Sequence, residues 1–253
     1  MLFLTDEQLT FIGMVYETFI IICAAIILIL IFMKYLEKKQ RLTLILFIIF
    51  LCFLFSIVFS WLAKVIRLYG GLDYVASDDL PYPLTIESFF VLRIDNFRFA
   101  FIFIVLSLAF SYVLKVGVYQ EEYDSKEKIF VIIFGVMTIL YQIFIYERGV
   151  LILDLIAFML VAFYAAFIYI PFFNHSVKNY KSVDDPIYKK GFLSLAIMAL
   201  SLSLILVCMV IDRILIIVLD IYGYTPFYFI GWTLTLVAIL GAYFGYIRPK
   251  SKE

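Results

Sequence analysis

The chain predicts an all-α, polytopic integral membrane protein: a bundle of seven transmembrane helices with its N-terminus outside and its C-terminus in the cytoplasm. Three observations carry that prediction. First, 66% of the 253 residues are hydrophobic and 19% are aromatic, far above the roughly half-apolar make-up of a soluble domain. Second, the apolar residues fall into seven runs of the length, about 20 residues, that a helix needs to cross hydrocarbon. Third, fourteen of the twenty basic residues fall on one side if the N-terminus is placed outside, and Lys and Arg accumulate on the cytoplasmic side.

Each element has a local justification. Thr5 with Gln8 three residues on reads as a capping box, so helix one covers 6–38, with a membrane part near 18–35. Helix two covers 42–68, helix three 86–118, helix four 129–146, helix five 150–173 and helix six 191–222. Helix seven covers 226–247, with Thr225 as N-cap and Pro226 at the first helical position. Connections are short except for an outer segment, 70–85, with Asp73, Asp78, Asp79, Pro81 and Pro83, and two cytoplasmic loops, 120–128 and 174–190. No internal repeat or low-complexity tract divides 1–253, so one domain is expected. The opening MLFLTDEQ carries no Lys or Arg and precedes a run too long for a removable signal peptide. With only six residues after Ile247, no soluble domain is expected at either end, and any enzymatic output is expected from a separate protein.

The sequence carries twenty basic and twenty acidic residues, and this zero net charge gives no footprint for nucleic acid. The sign separates by side instead. The inner half holds fourteen basic and eight acidic residues, the outer half six and twelve. Cys23, Cys52 and Cys208 sit midway along apolar runs, where a thiol packs as a small hydrophobe; neither a disulfide, a metal site nor a cofactor is expected. His175 is the single histidine, which excludes zinc-dependent seven-helix hydrolases and haem bundles, both of which need several. No Ser-His pair or HExxH supports a protease; the protein is expected not to be an enzyme.

Charge inside a membrane helix is expensive and marks a functional site by default. About 18–20 residues outward from each inner boundary lie Glu17, Lys64, Arg98, Asp154 and Asp212, with Glu147 and Arg148 closing helix four and Arg93 and Asp95 heading helix three. Helix seven offers Tyr228, Trp232 and Thr233 instead. Residues three or four apart share a helix face. That rule aligns Ser56, Ser60, Lys64 and Arg67 on helix two, and Ser194, Ser201, Cys208, Asp212 and Asp220 on helix six. It likewise aligns Arg93, Asn96, Ala100, Ser107 and Ser111 on helix three, Thr138 with Gln142 on helix four, and Thr10, Gly13, Glu17 and Ala24 on helix one. Small and polar residues together are what bundle-facing surfaces carry in lipid, so the layer is expected to point inward.

Two readings of the layer stay open. In one, Lys64, Arg67, Arg93, Arg98 and Arg213 line an outward-opening pocket for a small anionic ligand or lipid headgroup, walled by Trp61, Tyr228 and Trp232 and completed by Glu17, Asp95, Gln142, Asp154 and Asp212. In the other, the six basic and five acidic residues simply neutralise one another, with Asp95 and Arg98 pairing within their own helix at i, i+3. Lys115 is expected to snorkel to the inner interface. The Gly241/Gly245 pair, continued by Ala238 and Gly231, is expected to pack within the bundle. Tyr69, Tyr74, Tyr82, Tyr222 and Tyr224 are expected to form an interfacial belt, and His175 to be exposed.

Known seven-helix families mostly fail on their motifs. Residues 227–247 contain no lysine for a retinal Schiff base; helix three ends SYVLK, without an acidic–Arg–aromatic triplet, and helix seven ends GYIRP, without an Asn-Pro turn. No Pro-Gln dipeptide or three-helix repeat links it to seven-helix sugar transporters. The stretches VIDRILIIV (210–218) and ILGAYFGYIRPK (239–250), with the topology, resemble the seven-helix sensor regions of prokaryotic histidine kinases and their free-standing archaeal relatives. That resemblance implies a sensor in the cell membrane that works through a cytoplasmic partner. A small-solute transporter and a scaffolding subunit of a membrane complex are the alternatives; against transport, helices one, two, three and six lack proline, and interrupted helices are the usual mark of a transport site.

Overall fold

The structure, a computed structural model of the chain, describes residues 5–76, 83–119, 124–219 and 223–247. Asp78, Asp79, Pro81, Tyr82, Gln120, Asp220, Tyr222, Arg248, Lys250 and Lys252 lie outside the described residues. The described chain is helical, with no strand among its residues, and seven of its helices are long and apolar enough to cross a membrane. The solvent-facing pattern is inverted relative to a soluble protein. Phe19, Ile29, Ile133 and Met137 are exposed, whereas Arg98, Lys64, Lys115 and Glu17 are buried. Such a distribution suits hydrocarbon outside and polar pairing inside.

Helix α1 runs Asp6–Lys38, and its start is the expected capping box, with Thr5 Oγ1 accepting from Gln8 N and Gln8 Oε1 accepting from Thr5 N. It ends on Lys39 in the left-handed region, φ 50°, whose N–H reaches Tyr35 O. α2 spans Arg41–Tyr69, and a short helix α3, Asp73–Ala76, follows. The third span differs from expectation. It is two helices, α4 (Ile86–Asp95) and α5 (Arg98–Tyr119), broken at Asn96 and Phe97, where Phe97 takes φ 59°. A bulky residue rarely adopts that conformation, so the break is held by its surroundings.

α6 is Ser125–Phe144, begun by Asp124 Oδ1 accepting from Lys126 N at 2.8 Å. α7 is Leu151–Ser182 and α8 is Pro186–Leu219. The expected loop 174–190 is therefore mostly helix, with a three-residue link. Residues 174–182 are mostly polar without being helix breakers, so the helix continues beyond its apolar section. Asp185 Oδ1 then accepts from Ile187 N at 2.7 Å and starts α8 at its proline, the favoured first position. Pro171 consequently lies inside α7 and not near its end. α9 is Pro226–Gly241, continued by a π-helical turn, Ala242–Ile247.

The helices close a ring. α1 packs on α2 and α9, α8 on α7 and α9, and α5 bridges from α2 to α7 with α6 outside it. The small-residue face of α9 is used within this ring. A Cβ on Gly231 would stand 3.1 Å from Met209 Cε and 3.5 Å from Cys208 Cβ, and one on Gly241 would be 3.5 Å from Ile197 Cγ2. The three cysteines are free. His175 is exposed, as expected, and stacks on Tyr119 with ring centroids 5.7 Å apart.

Candidate functional site

The inward stripes read from the sequence are inward in the structure: Ser56, Ser60, Lys64, Ser107, Ser111, Thr138, Gln142, Ser201, Cys208 and Asp212 are all buried. Their charges are resolved mainly by pairing between helices. Glu17 of α1 accepts from Lys64 Nζ at 2.9 Å, from Ser60 Oγ at 2.6 Å and from the Tyr228 hydroxyl. Lys64 also donates to Ser60 O at 3.0 Å, and its ammonium is ringed by Phe97, Tyr224 and Tyr228, with centroids 5.3, 5.4 and 5.2 Å away. An ammonium among aromatic faces gains cation–π attraction in place of water. Tyr224 therefore belongs to the interior, not to the expected aromatic belt; Tyr69, by contrast, is exposed.

Asp95 and Arg98 do not pair with each other. Arg67 of α2 holds Asp95 with two hydrogen bonds, Nη2 to Oδ2 at 2.7 Å and Nε to Oδ1 at 3.1 Å, the bidentate geometry that makes Arg–carboxylate pairs strong. Arg98 reaches the other way, with Nη2 2.6 Å from Asp154 Oδ1 and Nη1 3.2 Å from Gln142 Oε1. The helix breaks between the two residues, so the i, i+3 relation that would have paired them is lost. Gln142 keeps its orientation by donating Nε2 to Ala157 O at 3.2 Å. Asp154 lies in the first turn of α7, where a carboxylate also complements the helix dipole.

Arg93 is not a site residue in this geometry. Its Nε donates to Ile143 O at 2.6 Å, its Nη1 donates to Phe89 O at 3.1 Å, and its guanidinium lies 3.5 Å from the Phe89 ring centroid. It caps one of the last carbonyls of α6, groups that have no partner within their own helix. Trp61 is also displaced from its expected role. It is half-buried and donates Nε1 to Thr18 Oγ1 at 2.9 Å, away from the residues that surround the internal space. Lys115 does not snorkel; it is buried and pairs with Glu127 of α6. Arg148 donates to Tyr74 O, fastening α3 to the α6–α7 connection.

A cavity of about 320 Å³ remains among α2, the α4–α5 break, α7, α8 and α9. Arg67 and Gly149 are exposed and mark its mouth. Lys64, Asp95, Asp154, Asp212 and Arg213 line the polar part; Phe101, Ile104, Phe158, Ile205 and Trp232 line the deeper part. Glu17 and Arg98 stand behind this surface as partners of the lining residues Lys64 and Asp154, and Gln142 stands behind Arg98. Asp212 is satisfied by Thr225, whose N–H and Oγ1 donate to its Oδ1 at 3.0 and 2.6 Å. Thr225 is thus the residue before α9 as expected, but its hydroxyl serves Asp212 and makes no cap bond within its own helix. Arg213 is different: among the described residues it makes no hydrogen bond or ion pair, and its guanidinium carbon lies 4.9 Å from the Phe158 centroid and 5.2 Å from that of Phe97. It is the cation of the layer left available to something in the cavity.

The sequence reading missed Phe97, Phe158, Thr225 and Tyr224 as contributors. For Thr225, its place thirteen residues after Asp212 in the sequence was a usable signal. For the aromatic residues, in a chain with 28 Phe and 19 Tyr, composition hides the few that face charge.

Fold and site define the class: a multi-pass helical membrane protein with an ion-paired polar layer and an internal cavity at one end of the bundle. Comparison with protein-family models, with curated proteins and with solved structures finds no match to this chain.

Proposed function

We propose that this is a non-enzymatic seven-helix receptor of the cell membrane, oriented N-out and C-in, that binds a small anionic ligand or headgroup in its outer cavity and signals through a separate cytoplasmic protein. One observation carries the reading: Arg213 faces a 320 Å³ cavity with no carboxylate of its own, while the neighbouring cations are matched. A volume of that size is at the lower end of ligand pockets. An occupant that contributes an anion there would give Arg213 the partner that the other cations have on neighbouring helices, while Asp212 keeps the two donors of Thr225. The basic ends of α7 and α8, with Lys178, Lys181, Lys189 and Lys190, are the surface offered to the partner. The resemblance to histidine-kinase sensor regions agrees with this role.

The test is a melting shift of the protein in lipid nanodiscs across a panel of small anions, repeated with Arg213→Gln, because a ligand that binds the folded state raises its stability by mass action. A saturable shift lost in the variant supports the reading; no shift for any anion removes it.

Solute transport is favoured as a second reading by one feature, the broken third span beside the cavity, since interrupted helices line substrate sites in transporters. Flux of the same anions into proteoliposomes separates the two.

A further inference from the structure

The shape of the cavity restricts what could occupy it. Its lining on α2 runs from Arg67 down to Ser56, and on α8 from Ile216 to Ile205. Each interval is eleven residues, about 16 Å at 1.5 Å per residue. A volume of 320 Å³ spread over that length is a narrow channel. Taking a methylene as roughly the size of a water, about 30 Å³, it holds about ten such groups. An extended chain advances about 1.2 Å per bond, so about thirteen bonds traverse it. Volume and length thus agree on about ten to thirteen heavy atoms, the count of one extended chain.

The chemistry changes along the same axis. The mouth end carries Arg213 beside three carboxylates that are already engaged: Asp95 by Arg67, Asp154 by Arg98 and Asp212 by Thr225. The deep end is walled mainly by Ile104, Phe158, Ile205, Leu206 and Trp232, with Ser56 and Ser60 on the α2 side and Ser56 Oγ without a partner among the described residues; its apolar part stabilises an occupant that is apolar there. A compact hydrophilic anion would leave that end unfilled. A cationic head would meet an unpaired arginine.

We propose that the ligand of this cavity is a single-chain, medium-length amphiphilic anion, such as a carboxylate of about ten carbons, with its head on Arg213 and its tail toward Ile205 and Trp232. This rests on the binding role proposed above and names its substrate class.

The experiment measures saturable binding of labelled decanoate to the full chain in phosphatidylcholine nanodiscs, with empty discs subtracted. Acetate, hexanoate, octadecanoate and decyltrimethylammonium are run as competitors. The expected result is that decanoate binds, that hexanoate and octadecanoate compete at least about tenfold less well, and that the cationic amphiphile does not compete. Arg213→Gln should lose about tenfold or more in affinity, the scale of a charge-assisted hydrogen bond, and Arg213→Lys should keep most of it. Ala100→Phe, which fills the wall beneath the charged end, should move the preferred chain to a shorter one, and it carries the test if Arg213→Gln does not fold. Equal competition by octadecanoate or by decyltrimethylammonium overturns the proposal. Arg213-dependent binding of acetate with no effect of chain length overturns the amphiphile while leaving an anion receptor standing. Binding of none of these anions overturns both.

Discussion

Lys64 Nζ lies 2.9 Å from Glu17 Oε2, and both side chains are shut off from solvent at the contact between α1 and α2. Removing one member of such a pair leaves the other as an unmatched charge, at a cost of about 3–5 kcal/mol. Lys64→Met alone should therefore destabilise the protein by that amount in chemical denaturation from mild detergent. Combining it with Glu17→Gln should restore most of the loss. If single and double variants unfold alike, the pair does not couple the two helices.

Thr225→Val removes the hydroxyl that reaches Asp212 at 2.6 Å while keeping the backbone donor at 3.0 Å. Hydrogen bonds to a charged group contribute about 1.5–3 kcal/mol, and the valine should lower stability by that order. Serine at the same position should be nearly silent. A Thr225→Val protein that melts like the parent would show Asp212 to be held by other means.

The Arg67–Asp95 contact should act locally. Arg67 is 39% exposed at its side chain, so solvent screening holds its global contribution to about 1 kcal/mol. Its geometric role is to anchor the last residue of α4 to α2. Asp95→Asn should speed amide exchange in 86–95 with little change in α1 and α2; uniform acceleration across the bundle would contradict this.

Gly13 lets α1 approach the lysine cage. A Cβ there would stand 3.0 Å from two ring carbons of Tyr224 and 3.2 Å from Lys64 Cε. Gly13→Leu should lower stability by about 1–3 kcal/mol through overpacking, and Gly13→Ala by less. A melting curve unchanged by leucine would mean that α1 seats elsewhere.

The number of spans and the inward polar stripes were legible because helical periodicity and the length of apolar runs are local properties. The break in the third span was not, since residues 86–119 contain neither proline nor a glycine near Phe97. What holds it is tertiary: Arg67 engages Asp95 on one side of it, and Asp154 and Gln142 engage Arg98 on the other. Asn96 at the end of α4 was a faint local sign, because asparagine tolerates helix ends. The same limit explains the misread pairings. Sequence spacing brings Asp95 to Arg98 and sends Lys115 to the interface, whereas the folded bundle offers each a partner on another helix. The early start of α8 was readable in Asp185-Pro186 and was masked by the change from apolar to polar residues.

The ion pairs also follow the order of synthesis. Glu17 meets Lys64 one helix later, Arg67 meets Asp95 as the next span begins, Lys115 meets Glu127 across a single connection, and among these only Arg98 must wait for a helix beyond its neighbour, at Asp154. A lone charge at the centre of an inserting helix costs about 2.5–3.5 kcal/mol. A growing chain with this arrangement can enter the bilayer as successive hairpins whose charges cancel as each forms.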